Sequence, residues 1–235
     1  KNTMIRKAMI LAAGFGKRVQ PLTLDCPKPL LKIGNETLLF KTITLLEKFG
    51  INEVVINIHH LGGQIIDYIN KSKFSLKVKI VEEKNKILDT GGGVLNAIHY
   101  FDDKPFFIIN PDTVWSLNYL KELQVMEKIF FENKKNKCLL LLVSKSMSFD
   151  KSFSGDFNLE NNIIQRSAKT NLKYIFAGLQ IIKPEVFNNI DRGIFSINKI
   201  WDNLIQHQEL YGMKSSIDFF HVSTLNIYKE LQTKF

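Results

Sequence analysis

Two glycines, an arginine and a lysine near the start of this 235-residue chain carry its densest chemical signal. Gly14 and Gly16 follow directly on the apolar run 7–12, and small residues there let backbone N–H groups approach a chain of phosphates. Arg18 offers a planar fork to phosphate oxygens, and Lys28 a compact point charge. Pro27 and Pro29 fix the backbone on both sides of Lys28, and Pro29 biases Lys28 itself toward an extended conformation. A basic side chain held that stiffly reads as a clamp on an anion. Two common phosphate loops are excluded. A dinucleotide fingerprint needs a third glycine where Val19 stands, and a Walker A loop needs Ser or Thr where Arg18 follows Lys17.

Further along, Phe106-Phe-Ile-Ile-Asn-Pro-Asp-Thr-Val-Trp115 places Asp112 just past an apolar strand. Ligands of open α/β sheets bind outside the carboxyl ends of strands, so Asp112 is placed to hold Mg²⁺ on a phosphate. A turn-forming Asp after Pro111 is the plainer reading of the same residue. In Leu88-Asp-Thr-Gly-Gly-Gly-Val94, three glycines can bring bare backbone to a ligand with a helix N-terminus behind them. A flexible turn is the alternative. His59 and His60 read as turn and packing residues, since no further His or Cys is spaced to share a metal.

These groups must be carried by alternating elements. Strands are expected at 7–12, 53–58, 76–81, 105–109 and 138–143, and helices at 37–49, 62–70, 93–101 and 117–131. Such repeated strand–helix–strand units imply an α/β fold, Rossmann-like and three-layered, with a mixed, mainly parallel sheet. After about residue 150 the texture changes. Short strands are expected near 153–158, 162–166 and 174–182, helices at 184–189 and 196–208, a strand near 217–222 and a helix at 224–233. With no Pro/Gly/Ser-rich linker and no internal repeat, residues 1–235 read as one domain. About 1–145 form a nucleotide-binding front and about 146–235 an acceptor-binding back.

Charge sharpens the picture. The net charge is +9, of which the first fifty residues carry +6. That excess would suit a nucleic acid or a small polyphosphate. The basic residues coincide with the phosphate motif and show no interleaving with aromatics, so no nucleic-acid partner is expected. Two cysteines, Cys26 and Cys138, form neither a CxxC pair nor a zinc spacing, and a reducing, cytoplasmic setting fits. The longest plain apolar run, 138–143, falls far below the roughly 20 residues that span a bilayer, so no membrane partner is expected.

The stretch Leu11-Ala-Ala-Gly-Phe-Gly-Lys-Arg18, followed by Pro21-Leu-Thr-Leu-Asp-Cys-Pro-Lys-Pro-Leu30, resembles the signature of the sugar-1-phosphate nucleotidyltransferase family. These enzymes join a nucleoside triphosphate to a sugar 1-phosphate and release pyrophosphate. The resemblance implies that Ala12, Ala13, Gly14, Gly16 and Arg18, with Thr90, Gly91 and Gly92, bind the nucleotide. It gives Lys28, Gly155 and Gly178 to the sugar phosphate, and Arg18, Lys28 and Asp112 to catalysis. Asp112 resembles the family's metal-binding aspartate. Phe219-Phe-His-Val-Ser-Thr224 sits where the wider family has Trp-x-Asp-x-Gly-Thr-Pro, so His221 takes the place of a second metal carboxylate, Ser223 that of the glycine and Leu225 that of the proline.

The Leu-Asp-Thr-Gly-Gly-Gly and His-Val features resemble a short bacterial branch. It contains N-acetylmuramate-1-phosphate uridylyltransferases and enzymes labelled mannose-1-phosphate guanylyltransferases. The resemblance thus implies Mg²⁺ as cofactor and UTP with an amino-sugar phosphate as substrates, ahead of GTP with mannose 1-phosphate, in a monomer or homodimer. The departures at Ser223 and Leu225 motivate a reading of another class, a catalytically weak regulatory subunit that binds nucleotide sugars.

Overall fold

The computed structural model describes residues 4–167 and 171–235. The strands are β1 (Lys7–Ala12), β2 (Lys32–Ile33), β3 (Glu36–Thr37), β4 (Glu53–Ile58), β5 (Lys77–Glu82), β6 (Phe106–Ile109), β7 (Cys138–Ser144), β8 (Asn158–Glu160), β9 (Ile163–Gln165), β10 (Tyr174–Ile182) and β11 (Leu210–Lys214). The helices are α1 (Leu22–Asp25), α2 (Leu38–Phe49), α3 (Gly62–Lys71), α4 (Asp89–Ala97), α5 (Leu120–Glu132), α6 (Asn198–Gln206) and α7 (Leu225–Lys234). Among the described residues no helix is long and apolar enough to cross a membrane.

Nine strands form one sheet in the order β5-β4-β1-β6-β10-β7-β11-β9-β8. Strands β5, β4, β1 and β6 are parallel, β10 runs antiparallel between β6 and β7, and β11 is parallel to β7. The chain leaves β1 toward β4 and β5, then returns to its other side with β6. That reversal opens a crevice at the carboxyl end of β1, where such sheets bind ligands.

Alternation along the strands builds the two core layers. From β1, Ala8, Ile10 and Ala12 face α2, α3 and α5, where Ile43, Ile65 and Phe130 are fully buried or nearly so. Met9 points the other way, with Phe106 and Leu140, against Val94 of α4 and Trp201 of α6. A third cluster joins Val19, Leu31, Ile33, Leu38, Val114, Val222 and Leu231, bracing the glycine-containing loop from below with α7. The α/β fold with helices on both faces of a mixed sheet is therefore as expected.

The structure differs from the sequence expectations in particular places. Helix α4 begins at Asp89, so Gly91–Gly93 lie inside it rather than before it. Residues 217–222 form no ladder and touch neighbours through isolated bridges, Thr113 with His221 and Ser148 with Phe219. The strand of this region is β11, disguised by a central glycine. A Cβ on Gly212 would lie 2.8 Å from Leu159 Cδ2 and 2.9 Å from Leu142 Cδ1, so a side chain there would have to displace both leucine ends. Residues 184–187 form a 3-10 turn instead of an α-helix, and the strand expected at 153–158 shrinks to Asn158–Glu160.

Candidate active site

A cleft of about 350 Å³ lies at the carboxyl ends of β1, β4, β5 and β6. Ala12, Ala13, Gly14, Gly16 and Arg18 line one wall, Lys28 and Asp112 the floor, and Thr90 the far side. Gly16 adopts φ +64°, and a Cβ there would lie 2.8 Å from Thr23 Cγ2. The Thr23 hydroxyl donates to the Gly16 carbonyl at 2.8 Å, and the Val19 amide donates to the same oxygen at 2.9 Å. This fixes the loop as a tight left-handed turn that only glycine adopts without strain. Val19 is buried beneath it, while Arg18 stays exposed and has no carboxylate partner among the described residues.

Lys28 is not extended, as Pro29 alone would predict. It opens the 3-10 turn Lys28–Leu30, closed by the Leu30 amide donating to the Pro27 carbonyl at 2.8 Å. Pro29 is tolerated because the first turn of a helix needs no N–H at that position. The turn brings Lys28 Nζ to 2.8 Å from Asp112 Oδ2 across 84 residues of sequence. Burial by itself would raise the Asp112 carboxyl, but the neighbouring His221 and Lys28 pull it down to about 2, so it is ionised at neutral pH. Burial holds His221 below the usual imidazole range, against the pull of Asp112. His221 Nδ1 lies 3.6 Å from Asp112 Oδ1, and that oxygen is buried without a hydrogen-bond partner.

The two departures in the 219–225 segment are locally accommodated. The Ser223 hydroxyl donates to Asp150 Oδ2, and Asp150 also accepts from the Ser152 amide at 2.9 Å. Leu225 is the first residue of α7, with Thr224 as its N-cap.

Two further residues line the cleft that the sequence did not single out, Asn57 and Glu83. Asn57 Oδ1 accepts from the Ala12 amide at 2.9 Å, and its Nδ2 donates to Glu83 Oε1 at 2.9 Å. Glu83 Oε2 then accepts from the Leu88 amide at 2.8 Å. This buried chain ties the end of β1 to the start of α4. An Asn next to last in a β-branched strand was the available signal, whereas Glu83 looks like surface charge in sequence. Asn57→Ala is expected to leave the Ala12 amide and Glu83 short of a partner and to cost about 1–3 kcal/mol. A urea melt would show this as a lowered midpoint with unchanged slope.

Gly91 and Gly92 do not face the cleft. Their amides both donate to the Phe195 carbonyl, at 2.9 and 3.0 Å. A Cβ on Gly91 would strike the Phe195 ring at 2.4 Å, and one on Gly92 the Gly193 carbonyl at 2.2 Å. These glycines admit the 193–197 segment, which Thr90 secures by accepting from the Ile197 amide at 2.8 Å. Gly178 sits beside the floor, its carbonyl accepting from the Asn110 amide at 2.8 Å, and Gly155 packs against the Leu172 carbonyl away from the cleft lining. None of Gly91, Gly92, Gly155 and Gly178 lines the cleft; each makes room for a neighbouring segment instead.

Comparison with known proteins agrees with this geometry. The family model described as nucleotidyl transferase matches residues 7–148. The N-acetylmuramate alpha-1-phosphate uridylyltransferase of Caulobacter vibrioides is 24% identical, over 92% of this chain and 90% of that protein. The protein of the same name from Neisseria meningitidis serogroup B is 28% identical, over 96% of each. In fold, the chain is similar to a putative glucose-1-phosphate thymidylyltransferase from Bacillus anthracis, with a TM-score of 0.80 at 18% identity, covering 97% of this chain and 94% of that one. With the signature loop, the sheet order and the family match in accord, the chain belongs to the nucleotidyl transferase family.

Proposed function

We propose that this protein joins a nucleoside triphosphate to a sugar 1-phosphate and releases pyrophosphate, with UTP and N-acetylmuramate 1-phosphate as its pair. The observation that carries the reading is the convergence of Arg18, Lys28 and Asp112 on one cleft at the sheet's switch point. Two uridylyltransferase relatives that match nearly end to end support the choice of nucleotide and sugar.

The chemistry asks for no general base. A sugar phosphate has its second pKa near 6 and is mostly dianionic at neutral pH, so the nucleophile is ready-made. The difficulty is electrostatic, because an anion must attack the α-phosphorus of a polyanion in line. Gly14 and Gly16 let the backbone approach the triphosphate, the exposed Arg18 neutralises its oxygens, and Lys28 meets the phosphates at the reacting centre. Asp112 keeps the Lys28 ammonium aimed into the cleft through its Oδ2.

The resemblance also implies a divalent cation, and the residues fit one. Asp112 Oδ1 is a buried acceptor with no partner, which is where a cation or water is expected. Mg²⁺ keeps several waters and takes one or two carboxylates with substrate phosphates, so the lack of a cluster of three ligating side chains among the described residues is no obstacle. Asp112 would hold the cation, and its charge would offset that of the phosphates when bound.

The test is pyrophosphate release with each of four nucleoside triphosphates against several sugar 1-phosphates. UTP with N-acetylmuramate 1-phosphate should give the highest kcat/KM. GTP with mannose 1-phosphate giving more would replace the substrate pair, and nucleotide binding without any turnover would favour a regulatory subunit. Lys28→Met should lower kcat/KM by about a hundredfold, the usual effect of removing one preorganised charged contact. Steady-state kinetics on the preferred pair would show it.

A further inference from the structure

The loop that carries Gly14, Gly16 and Arg18 has few anchors of its own. Of residues 14–26 only Val19 and Thr23 are buried, and Phe15 and Leu24 are 41% and 54% exposed. Its internal bonds close the turn on itself, as the Thr23 hydroxyl and the Val19 amide do on the Gly16 carbonyl. Among the described residues, two hydrogen bonds reach residues 14–26 from another element, and both come from the turn after β4 and the start of α3. His60 Nε2 lies 2.7 Å from the Thr23 carbonyl oxygen, and Gln64 Nε2 donates to the Asp25 carbonyl at 2.8 Å. A carbonyl oxygen only accepts, so the ring nitrogen facing it carries a proton.

The rest of that turn is built around the same contact. Leu61 adopts φ +52°, an outlier for a bulky residue, of the kind that persists where its surroundings over-determine it. The Gln64 amide donates to the Leu61 carbonyl at 3.0 Å, which seats Gln64 in the first turn of α3. Phe15 packs against both histidines, its ring centroid 5.4 Å from that of His59 and 5.5 Å from that of His60. His59 faces the other way, its Nδ1 donating to the Glu83 carbonyl at 2.6 Å. One short turn thus joins the glycine-containing loop to the strand end that carries Glu83.

We infer that His60 is a positioning residue, holding residues 14–25 in the arrangement that receives the triphosphate, with Gln64 as a weaker second tie. His60 stands outside the cleft lining and acts through the Thr23 backbone, one hydrogen bond removed from Gly16. A loop so exposed opens readily once that bond is gone, and ordering it again falls on the ligand. Apparent affinity then drops in proportion to the closed fraction, while the bound complex, with the loop closed on phosphates, reacts at nearly its usual rate. The anchoring stands on contact geometry alone, and its effect on a triphosphate rests on the function proposed above.

The test compares the intact chain with His60→Leu, which keeps bulk against Phe15 without a donor, and with His60→Gln, whose Nε2 stands at the same reach as the ring Nε2. Brief native trypsin digestion, read by mass spectrometry, gives the rate of cutting after Lys17 and Arg18, and a UTP isotherm gives affinity. His60→Leu should raise both the cutting rate and the Kd for UTP by about threefold or more, within the fold-change one neutral hydrogen bond commands. Cutting after the exposed Lys128 on α5 should stay unchanged, which separates local release from loss of the fold. His60→Gln should restore both readouts, and kcat should stay within about twofold of wild type in either variant. Equal cutting at Lys17 and Arg18 in wild type and His60→Leu overturns the anchoring. Faster cutting with unchanged UTP affinity, or a loss carried by kcat, overturns the positioning role. A wild-type chain that binds neither UTP nor any other nucleoside triphosphate overturns the proposed function and the positioning role with it, and the digestion then reports on the anchoring alone.

Discussion

Asp112→Asn is expected to remove turnover by at least about a hundredfold while leaving the fold intact. The substitution keeps size and shape. The backbone bond that ties this segment to residues 219–225, from the Val222 amide to the Asp112 carbonyl, does not involve the side chain. What disappears is the negative charge between Lys28 and His221, 2.8 and 3.6 Å from its two oxygens. Without it the cleft keeps Arg18 and Lys28 but loses the group that orients Lys28 and that is proposed to hold the cation. A bare cationic cleft still attracts a triphosphate. Nucleotide affinity should therefore persist or rise while kcat collapses, the pattern of an interaction made mainly in the transition state. Steady-state kinetics together with a nucleotide-binding isotherm separate the two, and circular dichroism checks the fold. Undiminished kcat would remove Asp112 from the reaction.

Gly92→Ala is expected to destabilise the protein and detach the 193–197 segment. Two effects oppose each other. Inside a helix, alanine is favoured over glycine by about 1 kcal/mol. Against this, the new Cβ would lie 2.2 Å from the Gly193 carbonyl oxygen and 3.2 Å from Leu88 Cβ. A backbone oxygen cannot swing aside as a side-chain end can, so the segment must move by more than an ångström. Two hydrogen bonds to the Phe195 carbonyl and one from the Ile197 amide to Thr90 are then strained or lost. At about 1 kcal/mol each, plus an overpacking cost of about 1–3 kcal/mol, the loss exceeds the helix gain. Chemical denaturation should show a net loss of about 2 kcal/mol or more. Since the acceptor is expected in the back half of the chain, about 146–235, KM for the sugar 1-phosphate should rise more than KM for the nucleotide. A variant more stable than wild type would contradict the packing account.

How much of this was legible in the sequence depended on whether the determinant was local. The loop from Leu11 to Leu30 was legible as a tight, proline-stiffened turn because its glycines and prolines act on their own backbone. The alternation of buried strands and amphipathic helices was legible for the same reason, and with it the placement of Asp112 past β6. The glycines of α4 were misplaced because their reason lies about a hundred residues away, in the Gly193 and Phe195 backbone. Strand β11 was obscured by Gly212, whose absent side chain makes room for Leu142 and Leu159. Asn57 and Glu83 form a pair 26 residues apart, and the chain of hydrogen bonds they make exists only once β4 and β5 are aligned. Lys28 shows both sides. Its confinement between prolines was visible, but its turn conformation and its partner Asp112 required the tertiary fold.

The first-fifty charge excess takes on a narrower meaning in this light. Arg18 and Lys28 line the cleft with Lys17 beside them, and Arg6, Lys7, Lys32, Lys41 and Lys48 lie outside its lining. Lys7 is engaged at the opposite end of β1 with Glu53 and Asp102. Three of the nine basic residues of the first fifty thus gather at the cleft, while Lys7 is paired with acids away from it.

The central claim, attack by a sugar phosphate on the α-phosphorus of a nucleoside triphosphate in this cleft, is tested most directly by following the oxygens. N-acetylmuramate 1-phosphate carrying ¹⁸O in its phosphate would be incubated with UTP, a divalent cation and the protein, and the products analysed by mass spectrometry. The predicted result is a nucleoside diphosphate sugar retaining all of the label, formed in step with unlabelled pyrophosphate. UTP bound without pyrophosphate release, with this acceptor or with others supplied alongside every nucleotide, or label appearing in pyrophosphate, would contradict it.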